Sequence, residues 1–551
     1  MPLPASAQVL IAGGGPCGLM LANELGRRGV SVLLVDEKES TAFNPQANAT
    51  QARTMEHYRR LGFAAEIRSE GLPGEYPTDI AYFTRYAGYE LARFRLPSAR
   101  EAGAVVKTLS GAWSAAELPH RVSQKFVETV LRKQAEALPG VSVNYGWRLA
   151  GFAQDESGVA ATLERVATGE RRAVRGSYLV GADGPRSKVR EALGFGYGGE
   201  TGVLRDFMGG RMCAVYLRAP DFYDIVPHPA AWMYVTFNHD RRTFMAAVDG
   251  KGEFAFHTQL RPGEDESAIT DEMATRMFWR AAGAEMPIEI LSRGTWTAGH
   301  ALVSDGFQKG RVFIGGDAAH LFTPAGGLGY NTAIEDAVNL GWKLAAVLKG
   351  RAAPGLLDTY EAERQPLARR NTAYARGFAD SLGLYAAPDA IEAAGAEGDR
   401  QRAEAGVYFN AHARREFNIP GVTFGGRYDG SPLIVSDGTE PPPDLANDYV
   451  PTACPGGRPP HLWLGDGRSL YDLFGFEWTL LQLDPLADIA PFTEAAQALG
   501  LDLTVVPLDV EAARDLYQAP LALVRPDQIV AWRGHHAGDA LRVLRQAAGV
   551  S

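Results

Sequence analysis

The chain has 551 residues, 46% hydrophobic and 22% charged, which is typical of soluble globular proteins but too long for one core. The formal net charge of −10 disfavours a nucleic-acid partner, which would need clustered Lys and Arg. Cys17, Cys213 and Cys454 are too far apart to indicate a disulfide framework or a metal site. No apolar run approaches membrane-spanning length, so we expect a cytoplasmic protein with no membrane partner.

Residues 8–36 alternate strand, glycine turn, helix and strand, the rhythm of a parallel α/β unit. The turn carries Gly13, Gly15 and Gly18 in the spacing GxGxxG. In a dinucleotide-binding fold such glycines permit a tight turn, close approach to a pyrophosphate and close helix packing. The following helix presents free N–H groups to the phosphates.

An acidic residue stands where the second strand of this unit ends. The apolar run ends at Val35, which favours Asp36 over Glu37 as acceptor for a ribose hydroxyl. We therefore predict dinucleotide binding. The alternative is a structural glycine turn followed by a surface carboxylate.

A second apolar strand leads into Gly-Ala-Asp-Gly within YLVGADGPRSKVREALG, residues 178–194. A basic helix start follows Asp183. Taken alone, this segment is equally typical of an ordinary turn before a solvated basic helix.

Residues 200–260 have the alternation of an antiparallel sheet. AAWMYVTF, the polar turn NHDRR and TFMAAVDG predict a hairpin, and EFAFHTQ predicts a third strand. Trp232, Tyr234 and Thr236 share one face of the first strand. We expect an inserted sheet domain.

A third strand-turn-helix lies in RVFIGGDAAHLFTPAGGLGYNTAIEDAVNLGWKL, residues 311–344. Asp317 ends an apolar run, and a turn almost without side chains follows it. The next helix has a continuous apolar stripe, so it packs on the core, and its N-terminus gathers unpaired N–H groups at the glycine turn. A flat ring could lie against such bare backbone.

The remainder is helical to about residue 417, and turn formers then dominate to residue 460. From residue 461, alternating strands and helices predict a separate small α/β domain.

In this order, GGGPCG, GADGPRSKVR and RVFIGGDAAH resemble the three motifs of the FAD-dependent aromatic hydroxylases, the single-component flavoprotein monooxygenases. The resemblance covers residues 5–375. LYDLFGFEWTLLQLD and LALVRPDQIVAWRG resemble the C-terminal thioredoxin-like domain of the phenol-hydroxylase and polyketide-hydroxylase branch. That segment lacks CxxC, which excludes dithiol chemistry and leaves a structural or homodimer-forming role.

The implied fold class is α/β, with a Rossmann-type FAD-binding domain, an inserted antiparallel-sheet substrate domain and a C-terminal thioredoxin-like domain. The implied boundaries are 1–195 and 291–417 for the FAD-binding domain, 196–290 for the substrate domain, 418–460 for a linker and 461–551 for the thioredoxin-like domain.

The resemblance implies a role for each motif. The first loop would hold the FAD pyrophosphate and Asp36 the ribose; Asp183 would lie near FAD and the nicotinamide passage, and Asp317 would bind the ribityl chain. The implied FAD-binding residues are Gly13, Gly15, Pro16, Gly18, Asp36, Arg53, Gln124, Asp183, Asp317, Pro324, Gly327, Gly329, Tyr330 and Asn331.

The chain departs from the family pattern in two places. Leu328 and Tyr330 stand where the family usually has Gln and Met or Leu. Pro45-Gln46-Ala47 lacks the arginine of the family's PRA segment, and Arg53 is the candidate to replace it, with a surface position as the alternative.

The resemblance implies that NADPH or NADH reduces FAD and that O2 then forms a C4a-hydroperoxyflavin, which hydroxylates a phenolic substrate. Only one GxGxxG is present, so the nicotinamide would visit transiently. The inserted sheet would cover the flavin, which makes its side chains pocket candidates, with sheet packing as the alternative for each. The pocket candidates are Trp232, Tyr234, Met245, His257 and Tyr330.

No catalytic residue or metal ligand is assigned, and His320 is expected to be structural. Two other functions stay open from the sequence. One is an NAD-dependent dehydrogenase. The other is a flavin-binding partner protein that has lost hydroxylase activity.

Overall fold

The computed structural model describes residues 3–201, 210–261, 263–383 and 385–550. At its centre is a six-stranded sheet, here called the central sheet. Its strand order is Gln308–Lys309, Val312–Ile314, Tyr178–Gly181, Val9–Ala12, Val32–Asp36 and Val141–Tyr145. All neighbours are parallel except the first pair. The three innermost strands are almost wholly buried, as parallel strands covered on both faces are.

Helices cover this sheet closely. Pro16–Arg27 packs against Leu328–Leu348, where a Cβ added to Gly341 would lie 2.6 Å from the Glu24 Cβ. The predicted core-facing stripe of the long helix is thus confirmed. The helix begins at Leu328, directly after a 3₁₀ turn at Ala325–Gly327.

A seven-stranded sheet, here called the roof sheet, contains the predicted hairpin and third strand. Its order is Glu289–Ala298, Gly210–Arg218, Glu253–Gln259, Thr243–Ala247, Met233–Thr236, Ile80–Phe83 and Glu90–Phe94. The last two strands come from the segment assigned to the FAD-binding domain. The predicted boundary at residue 195 therefore does not separate the two domains in space, because the strand Ile80–Phe83 pairs in parallel with the strand Met233–Thr236.

Two three-stranded sheets complete this part of the molecule. They consist of Trp147–Asp155, Gly158–Arg165 and Arg171–Gly176, and of Tyr197–Glu200, Ala301–Ser304 and His320–Leu321. The other helices are Ala52–Arg60, Ala64–Ser69, Ala99–Val105, Gln124–Glu136, Lys188–Leu193, Phe222–Ile225, Asp271–Ala282, Thr359–Gly383, Ala396–Phe417 and Pro420–Phe424. Across the described ranges, no helix has the length and apolar character needed to cross a bilayer.

The C-terminal domain has its own four-stranded sheet. Its order is Leu503–Pro507, Trp478–Gln482, Leu521–Val524 and Val530–Gly534, with helices Ala490–Ala498, Glu511–Tyr517 and Ala540–Ala548. The first pair is parallel and the others are antiparallel. The predicted alternation of strands and helices is confirmed.

The segment predicted as a linker is packed against its neighbours. It contains the helix Pro420–Phe424, and the side chains of Tyr428, Leu433 and Val435 are buried. Such burial means that the C-terminal domain is joined to the rest by contacts along the whole segment.

Buried charges also join the C-terminal domain to the helices of the FAD-binding domain. Glu363 accepts hydrogen bonds from Lys343 Nζ at 2.6 Å and from Arg525 at 2.6 and 2.9 Å, and Arg525 also pairs with Asp527 at 2.7 Å. Burial lowers the pKa of Lys343 to about 8, although Glu363 opposes this shift. Removing one member of such a cluster leaves the others buried and unpaired, which is costly.

The carboxyl ends of three central strands lie side by side, since Ala12 and Ile314 both align with Gly181. Gly13 leaves the sheet there with φ +114°, and a Cβ on it would lie 2.0 Å from the Ala182 carbonyl oxygen. Only glycine fits between the two loops.

We predict that Glu363→Ala lowers the free energy of unfolding by about 3–5 kcal/mol, because Lys343 and Arg525 lose their carboxylate. Denaturant unfolding measures this. Glu397→Ala, on an exposed helix surface, is the matched control and should change it by less than about 0.5 kcal/mol. Equal effects of the two substitutions would contradict the role of the cluster.

We also predict that Gly13→Ala disrupts the native fold, because the new methyl group overlaps the Ala182 carbonyl. Gly15→Ala is the control: no protein atom lies within 4 Å of the added Cβ, so the melting temperature should stay close to that of the original chain. A normal melting temperature for Gly13→Ala would show that the predicted contact between the loops is wrong.

Candidate active site

The three glycine-containing motifs of the sequence meet at the carboxyl edge of the central sheet. The loops that begin at Gly13, Ala182 and Gly315 follow three adjacent parallel strands whose last residues are aligned. Such an edge is where open α/β sheets bind ligands. The motifs, far apart in sequence, therefore form one site.

The first loop is held by the acid predicted to accompany it. The Gly14 N–H donates to Asp36 Oδ2 at 2.7 Å, and the Lys38 N–H donates to Asp36 Oδ1 at 2.8 Å. The helix starts at Pro16, and its N-cap Gly15 provides no side-chain cap. Open space beside Gly15 and free N–H groups in the first turn fit a pyrophosphate. Gly18 is constrained by the protein itself, since a Cβ there would lie 2.0 Å from the Gly13 oxygen.

In the second loop, the carboxylate of Asp183 is directed to its own helix. It accepts from Ser187 Oγ at 2.5 Å, from the Lys188 N–H at 2.8 Å and from the Val189 N–H at 3.3 Å. Burial raises the pKa of Asp183, and these hydrogen bonds oppose the rise. The observed contacts fix the start of the helix Lys188–Leu193.

In the third loop, Asp317 presents an unpaired carboxylate to the cleft. Its side chain is exposed, and no residue within the described ranges donates a hydrogen bond to it. The surrounding protein nevertheless desolvates it, which raises the pKa of Asp317, while His320 and Lys38 lower it. A carboxylate at the floor of a cleft is suited to accept hydroxyl groups such as those of a ribityl chain.

A buried network beneath this loop was missed from the sequence. Asp336 accepts from the Gly316 N–H at 3.1 Å, from His320 Nε2 at 2.6 Å and from Arg364 Nε at 2.8 Å. All three side chains are fully buried. His320 is thus structural, as expected. The sequence feature that could have predicted this network is Asp336, an acidic residue on the otherwise apolar face of the helix Leu328–Leu348.

The glycine bend, residues 324–329, lies above this network. Gly326 and Gly327 have φ of +70° and +64°, and the helix that follows has no side-chain cap. Asn331 holds the bend by donating to the Ala49 carbonyl at 3.0 Å and accepting from the Gln51 N–H at 2.8 Å. The predicted residues Pro324, Gly327, Gly329 and Asn331 are all in this bend or in the first turn after it.

Two predicted cofactor residues, Arg53 and Tyr330, are hydrogen-bonded to other protein groups. Arg53 donates to Glu56 at 3.1 Å and to the carbonyls of Asp527 and Gln528 at 3.1 and 2.9 Å. Its guanidinium therefore faces the C-terminal domain and does not replace the missing loop arginine. The Tyr330 hydroxyl pairs with that of the buried Tyr58.

Gln124 lies beside the loop that contains Pro45, Gln46 and Ala47. Its backbone N–H donates to the Ala47 carbonyl at 2.7 Å, and its side chain donates to Glu128 at 2.7 Å. The predicted contact of Gln124 with FAD stays a prediction, and in this structure the amide group is bonded to its own helix.

One face of the roof sheet contacts residues 43, 44 and 125, which belong to the first part of the predicted FAD-binding domain. Tyr216 on this face contacts Phe43 at 5.5 Å between ring centroids and accepts from Lys125 Nζ at 2.8 Å. Ser292, its cross-strand neighbour, donates to Asn44 at 2.5 Å. We call this the cofactor-facing side, because Phe43, Asn44 and Lys125 adjoin residues 45–47 and 124, which are predicted to lie near the cofactor.

Two of the pocket candidates, Tyr234 and Met245, are not on this side. Tyr234 packs against Tyr86 and Phe222, and Met245 is its cross-strand partner. Both therefore face the helix Asp271–Ala282, in the core of the roof sheet. Trp232 is buried beneath the Arg121 guanidinium, 4.5 Å from its ring.

His257 is the candidate that lies on the cofactor-facing side. It pairs across strands with Ala214, two positions from Tyr216 on the same face. Its ring stacks on Phe244 at 4.5 Å between centroids, and it accepts from Trp296 Nε1 at 3.2 Å. Burial lowers the pKa of His257 to about 4, so the imidazole is neutral near pH 7.

Two protein-family models match most of the chain. Residues 6–375 match the family model described as FAD binding domain, and residues 452–549 match the one described as aromatic-ring hydroxylase, C-terminal. A phenol 2-monooxygenase from Pseudomonas sp. (strain EST1001) is 30% identical, and the alignment covers 96% of this chain and 89% of the relative.

Two solved structures resemble the whole chain. The rebeccamycin biosynthetic enzyme RebC with reduced flavin has a TM-score of 0.88 at 32% identity, covering 100% of both chains. A ternary complex of aklavinone-11 hydroxylase with FAD and aklavinone has a TM-score of 0.82 at 28% identity, covering 98% of this chain and 99% of the other. With the three motifs assembled at one sheet edge, these matches show that the chain belongs to the FAD-dependent aromatic-ring hydroxylases, a family of flavoprotein monooxygenases.

Proposed function

We propose that the protein uses NADPH or NADH and O2 to hydroxylate a phenolic aromatic compound at FAD bound along the carboxyl edge of the central sheet. The observation that carries this proposal is the meeting of three loops at that edge, beneath an aromatic-rich sheet face.

Residues of each loop would hold one part of the cofactor. The Gly13–Gly18 turn and the start of the helix Pro16–Arg27 fit the pyrophosphate, Asp36 the ribose and Asp317 the ribityl hydroxyls. Bound FAD would supply the redox chemistry, by accepting a hydride and activating O2.

The protein would contribute a positive environment and a dry cavity. N–H groups in the first turn of the helix Leu328–Leu348 stand at the glycine bend, where they stabilise negative charge. The contacts of Phe43 with Tyr216 and of Asn44 with Ser292 close the roof sheet on the cofactor domain. Exclusion of water strengthens these electrostatic effects.

The phenolic substrate class is supported by two relatives with different substrates. One is named for phenol, and the other was solved with aklavinone. An oxidising flavin site needs an electron-rich ring, and a ring hydroxyl provides it. We therefore place the substrate against the cofactor-facing side of the roof sheet.

The sequence left two alternative functions open, a dehydrogenase and a flavin-binding partner protein. A dehydrogenase with a nicotinamide in the first loop leaves the second and third motifs without a role, and membership in an FAD-binding family overturns it. A flavin-binding partner protein would have the same cofactor site, and turnover separates it from an active hydroxylase.

We expect phenols to stimulate NADPH or NADH oxidation by the purified holoenzyme, with O2 consumed and a hydroxylated product formed. A panel from single-ring to multi-ring phenols, analysed by mass spectrometry, measures this. Oxidation that yields only hydrogen peroxide with every phenol would contradict the proposed reaction.

We predict that Asp317→Ala weakens FAD binding by roughly 1.5–3 kcal/mol, because a charge-assisted hydrogen bond is lost. Titration of the apoprotein with FAD measures the dissociation constant. Asp358→Ala, at an exposed aspartate that pairs with Gln308, is the control and should leave FAD affinity unchanged. Unchanged affinity in Asp317→Ala would remove this residue from the cofactor site.

A further inference from the structure

The cofactor-facing side of the roof sheet contains a hollow floored by small residues. Ala214 pairs across strands with both His257 and Gly294, and a Cβ on Gly294 would meet no atom within 4 Å. The rings of Phe244, His257 and Trp296 stand beside this floor. We call this group of five residues the hollow.

Within the hollow, the hydrogen bond from Trp296 determines the tautomer of His257. An indole N–H can only donate, so the Nδ1 atom of His257, 3.2 Å from Trp296 Nε1, must be an acceptor. A neutral imidazole carries one proton, which is therefore on Nε2. Burial lowers the pKa of His257 to about 4, which keeps the ring neutral.

Among the residues that the structure describes, none accepts a hydrogen bond from the Nε2–H group. The His257 side chain is half-buried and not fully enclosed. Stacking on Phe244, with an interplanar angle of 8°, fixes the plane of the imidazole and hence the direction of this donor.

From this geometry we propose that His257 is a specificity-determining residue whose Nε2–H donates to a carbonyl oxygen on the ring system of a flat phenolic substrate. Trp296 is the positioning residue that fixes the donor. The inference rests on the proposed function, because it takes the cofactor-facing side as the substrate wall.

The chemistry of an orphan donor explains the selectivity. A substrate with a carbonyl oxygen satisfies the Nε2–H, whereas one without it displaces water and leaves the donor unpaired. Sites built around such a donor discriminate strongly against analogues that lack the acceptor. The flat floor of Ala214 and Gly294 favours a fused-ring compound over a bulky three-dimensional one.

The test compares 1-hydroxyanthraquinone with 1-anthrol, two flat three-ring phenols of which only the first carries carbonyl oxygens. Each is titrated into the oxidised holoenzyme without reductant, and the change in the flavin absorption spectrum gives the dissociation constant. We expect His257→Phe to weaken binding of 1-hydroxyanthraquinone about tenfold and to leave 1-anthrol within about twofold.

Two further variants keep the result interpretable if His257→Phe folds poorly. His257→Gln, which keeps an N–H donor, should retain most of the preference for 1-hydroxyanthraquinone. Trp296→Phe, which frees the tautomer, should reduce that preference while flavin content stays unchanged. Equal losses for both probes in these variants, or no preference in the original chain, would overturn the proposal.

Failure of the proposed function looks different in this experiment. If the protein were not a hydroxylase of phenols, no phenol would shift the flavin spectrum or stimulate NADPH or NADH oxidation. If only the role of His257 were wrong, both probes would bind and stimulate oxidation, and the substitutions would not distinguish them.

Discussion

The contact between Gly13 and the Ala182 carbonyl is the constraint on which the site depends. Two loops from adjacent parallel strands cross there so closely that no side chain fits, with the space for a Cβ only 2.0 Å from the oxygen. This crossing sets where the first loop turns, and so where the helix Pro16–Arg27 presents its free N–H groups. The third loop joins the same edge, because Ile314 aligns with Gly181.

Two clusters of buried charged residues stabilise the structure around that edge. Asp336 supports the third loop from below by accepting from the Gly316 N–H, and Arg364 and His320 also donate to its carboxylate. The cluster around Glu363 joins the same two helices to the C-terminal domain. The C-terminal domain contains no cysteine, and its Arg525 is bonded to Glu363 on the helix Thr359–Gly383.

The sequence predicted features that depend on neighbouring residues. GxGxxG, Asp36 and the helix after the glycine bend follow from local turn chemistry and apolar periodicity, and the structure confirms their placement. The pocket side chains depended on long-range pairing. The alternation of side chains along the strand places Tyr234 and Val235 on opposite faces. Because both faces are apolar, the sequence does not indicate which of them is directed to the cofactor. Arg53 was misassigned for a similar reason, since its partners lie more than 400 positions away at Asp527 and Gln528.

A crystal structure of the protein with FAD would test the central claim most directly. Our account predicts density for the pyrophosphate against the Gly13–Gly18 turn, for the ribityl chain beside Asp317, and for the ring between the glycine bend and the cofactor-facing side of the roof sheet. A dinucleotide bound with its pyrophosphate away from that turn, or with its ring away from the bend, would contradict the account.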